Sequence, residues 1–216
     1  MKWLAVLVAF IVFLIVAAIA SAMSVYTDRA DFEAQGLIVH NYGFQEFDVN
    51  ALTFPPNPHT QSGVTYVTGD NLVVGSNYDP YFPVSNVFCS NVLGPIHGDV
   101  QTNPSFNMLG MDLGYLVAPS VVDLAVSTNQ GSYSYGDLIV PPAGRSLNFW
   151  GLVAGAGEYF TAFNVTAQDD GSAVVIDNVT LGEAFSSPAI PEPITLAGLV
   201  AGSATLAGYL RRRLGG

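Results

Sequence analysis

The chain has 216 residues and a formal net charge of −11 at neutral pH. Between residues 23 and 189, sixteen acidic residues stand against only two basic ones, Arg29 and Arg145, so the net charge of this stretch is −14. Such a domain lacks the cationic surface that nucleic acids and anionic lipids require, and we exclude both as partners.

The first 22 residues have the pattern of a signal peptide. Lys2 supplies a positive charge, residues 4–19 are apolar without a break, and Ala20 and Ala22 are small residues at the positions that a signal peptidase reads. We therefore expect a signal peptidase to cut before Met23. An uncleaved membrane anchor is the alternative, and in either case the segment does not belong to the folded domain.

The domain over residues 23–189 begins with one predicted helix. Thr27 can cap this helix, Gly36 can end it, and Phe32 would anchor it to the core. After the helix, runs rich in Val, Thr, Tyr and Phe alternate with Gly, Pro, Asn and Asp, which is typical of an all-β fold. Cys89, the only cysteine, falls on one of these runs as a small buried residue, and no internal disulfide bond is possible.

These runs predict eleven strands. They cover residues 37–41, 44–48, 64–68, 72–74, 86–92, 105–113, 121–127, 134–140, 147–153, 158–167 and 173–181. Eleven short strands and one small helix predict two packed antiparallel sheets, a β-sandwich of the jelly-roll type or a relative of it.

Glycine interrupts two of the predicted strands at positions where bulky residues surround it. Gly110 and Gly114 lie in the strand over 105–113 and directly after it, and Gly151 lies in the strand over 147–153. Glycine inside a strand allows another group to approach closely or relieves a bend.

The last two predicted strands flank Asp169-Asp170-Gly171, a sequence that favours a hairpin. Alternation along the second of these strands places Asp177 on the apolar face. A buried carboxylate must be hydrogen-bonded or must bind a cation, because an unpaired buried charge is very costly. Asp177 is therefore predicted to accept backbone N–H bonds that hold a loop; the alternatives are a ligand of a structural Ca²⁺ and an active-site acid.

Two predicted loops combine aromatic rings with acids and amides. Tyr78 and Tyr81 lie in the first loop, and Tyr133 and Tyr135 lie in the second. Sugars are bound by this mixture, because a flat ring packs on their C–H face while polar groups bind their hydroxyls. The alternative is that these rings cover a sheet edge or the rim of the core.

No sequence motif for catalysis is present. The three histidines are isolated from one another, and neither a nucleophile elbow nor a phosphate-binding loop occurs. We therefore predict no catalytic residues and no enzyme. Paired carboxylates for glycoside hydrolysis depend on tertiary structure, and the acids to test first are Glu46, Asp48, Asp112 and Glu158.

The last part of the chain, residues 190–216, has three consecutive segments. Pro191-Glu192-Pro193 holds the backbone extended, because two prolines disfavour helix and remove two N–H donors. The uncharged run 194–210 would span roughly 25 Å as a helix, a little less than the ~30 Å hydrocarbon core of a bilayer. Arg211-Arg212-Arg213 then marks the cytoplasmic end of this predicted transmembrane helix.

Together these three segments resemble the PEP-CTERM sorting signal of Gram-negative bacteria, over all 27 residues of the tail and in the expected order. The resemblance implies that an exosortase, a membrane-embedded cysteine enzyme, recognises the triplet and releases or transfers the protein. Proteins of this family tend to be secreted with exopolysaccharide into a biofilm matrix. A plain membrane anchor followed by a stop-transfer cluster is the alternative.

The sequence therefore predicts an exported, non-catalytic protein of the cell surface or extracellular matrix. It would exist first as a precursor anchored in the inner membrane, and its β-rich ectodomain would contact exopolysaccharide. No cofactor is predicted apart from the Ca²⁺ considered at Asp177. A secreted glycan hydrolase on the same fold and a self-assembling matrix or filament subunit are the alternatives.

Overall fold

The structure is a computed structural model of the chain. It describes residues 23–67, 71–78, 83, 85–90, 94–102, 105–117, 119–142, 144, 146–168 and 173–185. The predicted signal peptide, residues 1–22, and the predicted sorting tail, residues 190–216, lie outside these ranges.

The described residues form fourteen strands and one short helix. The helix, α1, is Arg29–Glu33. The strands are β1 (Ser24–Tyr26), β2 (Gly36–Tyr42), β3 (Leu52–Thr53), β4 (His59–Gln61), β5 (Val64–Tyr66), β6 (Leu72–Val74), β7 (Val87–Cys89), β8 (Ile96–Val100), β9 (Met108–Tyr115), β10 (Ser120–Thr128), β11 (Ser132–Val140), β12 (Asn148–Val153), β13 (Phe160–Ala167) and β14 (Val174–Ala184).

The strands pair antiparallel in two sheets. Sheet 1 has the order β1-β12-β9-β14-β7-β6-β3, and β2 also pairs with β14. Sheet 2 has the order β11-β10-β13-β8-β5-β4. Both sheets contribute to one hydrophobic core, in which Phe88 and Ile176 of sheet 1 meet Tyr66 and Phe163 of sheet 2. The prediction of an all-β domain with antiparallel sheets and one small helix is confirmed.

The strand predicted over residues 44–48 is wrong. Phe44 has a φ of 54°, which an extended strand does not allow, and the Phe47 N–H donates to the Phe44 carbonyl at 3.4 Å, as in a turn. The turn directs both of its aromatic residues to the core: Phe44 is fully buried, and Phe47 packs beside the core. The apolar residues that suggested a strand in the sequence therefore belong to a turn.

Four strands were not predicted: β1, β3, β4 and β8. In the sequence, Gly98 and Asp99 break the apolar pattern that would predict β8. The structure nevertheless requires glycine at position 98. A Cβ at Gly98 would lie 2.5 Å from the ring of Phe163 on the neighbouring strand β13. Only the packing of the two strands shows this reason.

The predicted hairpin between the last two strands is also wrong, because β13 and β14 lie in different sheets. β13 pairs with β10 and β8 in sheet 2, whereas β14 pairs with β9, β2 and β7 in sheet 1. Residues on both faces of β14 are buried from Val174 to Ile176. A strand that is apolar on both faces is stable in the centre of a sheet rather than in a half-exposed hairpin.

Helix α1 is shorter than predicted and is capped by Asp28 rather than Thr27. The Asp28 side chain accepts a hydrogen bond from the Asp31 N–H at 3.0 Å. Phe32 is fully buried, as predicted. Its ring occupies the space left by two strand glycines, since a Cβ would lie 3.0 Å from the ring at Gly110 and 2.5 Å from it at Gly151. At Gly110 and Gly151 the group that approaches the strands closely is therefore the Phe32 ring, and this contact holds helix α1 against β9 and β12.

Candidate functional site

Two acidic residues lie together in the middle of sheet 1. Asp112 on β9 and Asp177 on β14 are directly opposed in the antiparallel pairing of the two strands. Asp177 is 1% exposed, and the Asp112 side chain is 15% exposed. Opposed residues direct their side chains to the same face of a sheet, where like charges destabilise the pairing unless other groups offset them.

A β-bulge at Asn178 supplies one of the offsetting groups. The register of β14 on β9 shifts between Asp177 and Thr180, and Asn178 has a φ of 48°, which asparagine tolerates better than most residues. Its side-chain nitrogen, Nδ2, donates to Asp112 Oδ2 at 2.8 Å and to Asp177 Oδ2 at 3.3 Å. One side-chain nitrogen thus bonds to both carboxylates and holds them side by side on one face of the sheet.

Asp177 accepts hydrogen bonds from two further donors. Ser85 Oγ donates to Asp177 Oδ2, and the Asn178 backbone N–H donates to Asp177 Oδ1 at 2.7 Å. Ser85 precedes β7, so the carboxylate joins that segment to the bulge in β14. These contacts correspond to the first of the three roles predicted for Asp177, a carboxylate that holds a loop.

Arg29 brings a positive charge to the acidic pair from helix α1. Its Nη2 donates to Asp112 Oδ1 at 2.9 Å, and its Nη1 donates to Thr180 Oγ1 at 3.1 Å. The guanidinium carbon lies 4.4 Å from the centre of the Phe149 ring, within the range of a cation–π interaction. Because Phe32 fixes the helix to the sheet, the position of this charge is set by the core.

Burial raises the pKa of Asp177 to about 7, because the charged form loses its hydration. The hydrogen bonds from Ser85 and Asn178 act in the opposite direction, the nearby Asp112 raises the pKa further, and Arg29 lowers it. An acid that titrates near neutral pH occurs both in catalytic sites and in structural ion-pair networks.

Among the residues that the structure describes, the acidic pair has no third acidic, histidine or cysteine side chain with which it could hold a metal ion. Across the described ranges, no group of three or more His, Cys, Asp or Glu side chains is arranged to hold a metal ion. The Ca²⁺ predicted as one possibility at Asp177 would therefore have only Asp112 as a second carboxylate from these residues, and both already bond to protein donors.

Glu158 forms a separate buried cluster beside the β10–β11 hairpin. Its Oε1 accepts hydrogen bonds from Thr128 Oγ1 and from the Tyr133 hydroxyl, both at 2.7 Å, and its Oε2 accepts one from the Gly155 N–H at 3.1 Å. Burial acts to raise the pKa of Glu158, but these bonds together lower it. Glu158 is thus a charged acceptor, and its hydrogen bonds hold the turn before β13 against the β10–β11 hairpin.

The predicted sugar-binding tyrosines lie at the rim of the core. Tyr133 and Tyr135 are partly buried against the main core, and Tyr133 is already bonded to Glu158. Tyr78 packs on the smaller apolar cluster around Val175. Tyr81 lies outside the described residues. These positions correspond to the alternative considered above, in which the rings cover the core.

The other acids proposed for a hydrolytic pair are bonded locally. Glu46 accepts a hydrogen bond from the Tyr42 hydroxyl, and Asp48 accepts one from the Asn50 N–H at 2.8 Å. The structure brings Asp112 together with Asp177, and in the described part of the chain neither bonds to Glu46, Asp48 or Glu158.

Sequence reasoning did not include Arg29, Asn178 or Ser85 in the site. A signal for Asn178 exists, because Asp-Asn inside an otherwise apolar strand is typical of a bulge. Arg29 is one of two basic residues in an acidic domain, which also indicates a carboxylate partner. Ser85 has no such signal, since serine is common in loops.

Comparison with models of protein families finds no match to this chain, and no curated protein matches it. In the ranges that the structure describes, no helix combines the length and the apolar character needed to cross a membrane. The predicted cleavage residues Ala20 and Ala22, the Pro191-Glu192-Pro193 triplet and the Arg211-Arg212-Arg213 cluster lie outside these ranges.

Proposed function

We propose that this chain is an exported, non-catalytic protein of the cell surface or extracellular matrix, which is processed at its C-terminal tail and contacts exopolysaccharide. Its ectodomain would be a β-sandwich of the jelly-roll type, in which the two antiparallel sheets pack face to face over their common core. The processing enzyme would be an exosortase, and a signal peptidase would remove residues 1–22.

The observation that carries this proposal is the tail. Pro191-Glu192-Pro193, the uncharged run 194–210 and Arg211-Arg212-Arg213 follow one another at the end of the sequence, as in the PEP-CTERM signal. A plain anchor needs the apolar run and the positive cluster, but it has no need of the triplet.

The contacts of the buried acids support a non-catalytic role. Asp112, Asp177 and Glu158 each accept at least two hydrogen bonds from protein donors. A general acid or base must be able to reach a substrate proton within hydrogen-bond distance. Carboxylates that are already engaged by the fold fit a structural role better.

Retention on exopolysaccharide tests the binding part of the proposal. The full-length chain, purified in mild detergent, is passed over immobilised exopolysaccharide from the producing strain, with and without a chelator of divalent cations. We expect retention in buffer alone. If the protein runs through in both conditions, the binding role is wrong and a purely structural role remains.

Replacement of Pro191-Glu192-Pro193 by three alanines tests the processing part. The variant should accumulate at full length in the membrane fraction, whereas the natural chain should appear in a shorter, released form. Replacement of Ser187 and Ser186 by alanine, just before the triplet, is the matched control and should leave release unchanged. A released short form of the triple variant would show that the triplet is not recognised.

The position of Asp112 directly opposite Asp177 motivates a second candidate, a secreted glycan hydrolase. Glycoside hydrolases use a pair of carboxyl groups, and here Asp177, whose pKa is raised to about 7, would be the acid and Asp112 the nucleophile. Release of reducing ends from the exopolysaccharide, abolished in Asp112→Asn, would support it. No release by the natural chain would eliminate it.

A further inference from the structure

A small pocket opens beside the loop that joins β3 to β4. Its volume is about 40 Å³. At roughly 10–15 Å³ for each water centre, it has room for about three or four water molecules or for one polar substituent of a larger ligand. Among its lining residues are Phe54, Pro55, Asn57, His59, Tyr66 and Phe88.

The hydroxyl of Tyr66 lacks a hydrogen-bond partner among the described residues, although Tyr66 is only 2% exposed. Buried polar atoms are nearly always bonded to protein or to ordered water, so an exception calls for an explanation, and a water molecule or a ligand hydroxyl group would supply the missing partner. Burial raises the pKa of Tyr66, and the charge of Asp177 acts in the same direction, so the hydroxyl stays neutral. It can therefore both donate and accept a hydrogen bond, and Tyr66 is one of the residues that line the pocket.

The mouth of the pocket presents an aromatic face to solvent. Phe54 is 65% exposed, and the exposed Asn57 lies in the same loop. His59 stacks on Tyr66 with ring centres 6.1 Å apart and planes at 21°. Burial lowers the pKa of His59, against the opposing effect of Glu46, so its imidazole is neutral at pH 7 and has one donor and one acceptor nitrogen, of which Nε2 lies 3.4 Å from the Tyr42 hydroxyl.

The charges around the pocket select an uncharged ligand. None of the described residues that line it is Lys, Arg, Asp or Glu. The domain carries sixteen acids against two basic residues, so an anionic ligand such as a uronic acid is repelled. A cationic ligand would require a carboxylate or a closed aromatic cage in the pocket. An exposed ring beside neutral donors and acceptors is the surface that binds the C–H face and the hydroxyls of a sugar.

We propose that this pocket is a subsite for an uncharged sugar residue, which packs its C–H face on Phe54 and places one hydroxyl group against the Tyr66 hydroxyl. The inference rests on the proposed role in polysaccharide contact, and it gives that role a surface and a class of ligand. It differs from the tyrosine loops considered above, whose described rings cover the core.

Native gel electrophoresis of the full-length chain in mild detergent tests the subsite, with dextran, mannan, galactan, xylan or alginate cast into the gel. We expect retardation by at least one of the four neutral polysaccharides and none by alginate. Phe54→Ala should weaken the retardation about 10-fold or more, and Tyr66→Phe about 5-fold, as expected for a lost ring contact and a lost hydrogen bond.

Phe185→Ala is the matched control, because Phe185 is 64% exposed, almost the same as Phe54, and lies beyond the end of β14. It should bind like the natural chain. If the natural chain is retarded by none of the neutral polysaccharides, or if Phe54→Ala and Tyr66→Phe bind normally, the subsite is wrong. Retention on the producer's exopolysaccharide in that case would leave the general proposal intact and place the contact elsewhere.

Thermal unfolding separates a ligand-binding hydroxyl from a structural one. Tyr66→Phe removes a hydroxyl that has no partner among the described residues, so Tm without sugar should stay the same or rise. Tyr133→Phe removes a hydroxyl that bonds to Glu158, so Tm should fall. If Tyr66→Phe lowers Tm as much as Tyr133→Phe, the Tyr66 hydroxyl serves the fold, and the proposed contact with sugar is wrong.

Discussion

Asp112 and Asp177 are directly opposed on β9 and β14, and the side-chain nitrogen of Asn178 bonds to both carboxylates. Two acids in this relation would repel each other if they stood alone. The bulge that carries Asn178 and the helix that carries Arg29 make the arrangement possible. The stability of the domain should therefore depend on these four side chains together, and three of the predictions below concern them.

Asp177→Asn should flatten the pH dependence of stability between about pH 4 and pH 7. Burial raises the pKa of Asp177 from 3.8 to about 7 in the folded state, so the folded protein binds a proton that the unfolded chain releases in this range. The stabilisation that Asp177 gives to the folded state is thus fully present below pH 4 and is lost as the pH rises through 7. The free energy of unfolding falls by at most about 4 kcal/mol over this range. Asparagine cannot ionise and should remove this slope.

Urea unfolding at pH 4, 5.5, 7 and 8 measures the effect. The difference in unfolding free energy between Asp177→Asn and the natural chain should grow with pH in favour of the variant. Glu183→Gln, a change at an exposed acid of the same strand, β14, is the control and should not alter the slope. Parallel curves for the natural chain and Asp177→Asn would show that Asp177 is ionised throughout.

Arg29→Leu should destabilise the domain by about 2 kcal/mol, because it leaves Asp112 without its charged partner in a mostly buried position. Arg29→Lys should cost less, but not nothing, since a single ammonium group cannot reproduce the separate bonds to Asp112 and Thr180. Chemical unfolding at pH 7 gives both values. A loss in Arg29→Leu no larger than that of an exposed substitution would mean that the ion pair contributes nothing.

Asn178→Ala should destabilise the domain more than Asn178→Gly. Both variants lose the amide that joins Asp112 to Asp177. Only alanine must also adopt the φ of 48° against its Cβ, at a cost of roughly 1 kcal/mol relative to glycine. Unfolding free energies at one pH decide the order. Equal values, or a less stable glycine variant, would show that the bulge does not hold this conformation.

Glu158→Gln should lower stability by about 2 kcal/mol above pH 5, because a neutral amide accepts weaker hydrogen bonds from Thr128, Tyr133 and Gly155 than a carboxylate does. The pKa of Glu158 lies below its ordinary value of 4.5. Its contribution is therefore present above that value and is lost as the pH falls through the folded pKa. The loss in Glu158→Gln should shrink toward pH 3, and a loss that is independent of pH would contradict the charged state of Glu158.

Two of the wrong predictions of local structure have one physical cause. The run over residues 44–48 and the two strands around residues 169–172 were interpreted from short-range patterns alone. Phe44 and Phe47 are apolar because a turn directs them to the core, and β14 is apolar because it has neighbours on both faces. In both cases distant parts of the chain determine the role of the local pattern.

The sequence alone determined the all-β class, the burial of Phe32 and Asp177, and the order of the segments in the tail. These features depend on alternation, on turn residues and on composition, which act between residues close in the chain. The tertiary structure alone decided that Asp112 faces Asp177, that Arg29 reaches them, and that Tyr66 borders a pocket. Asn178 and Asp112 are 66 residues apart in the sequence, and only the pairing of β14 with β9 in one sheet brings them within a hydrogen bond of each other.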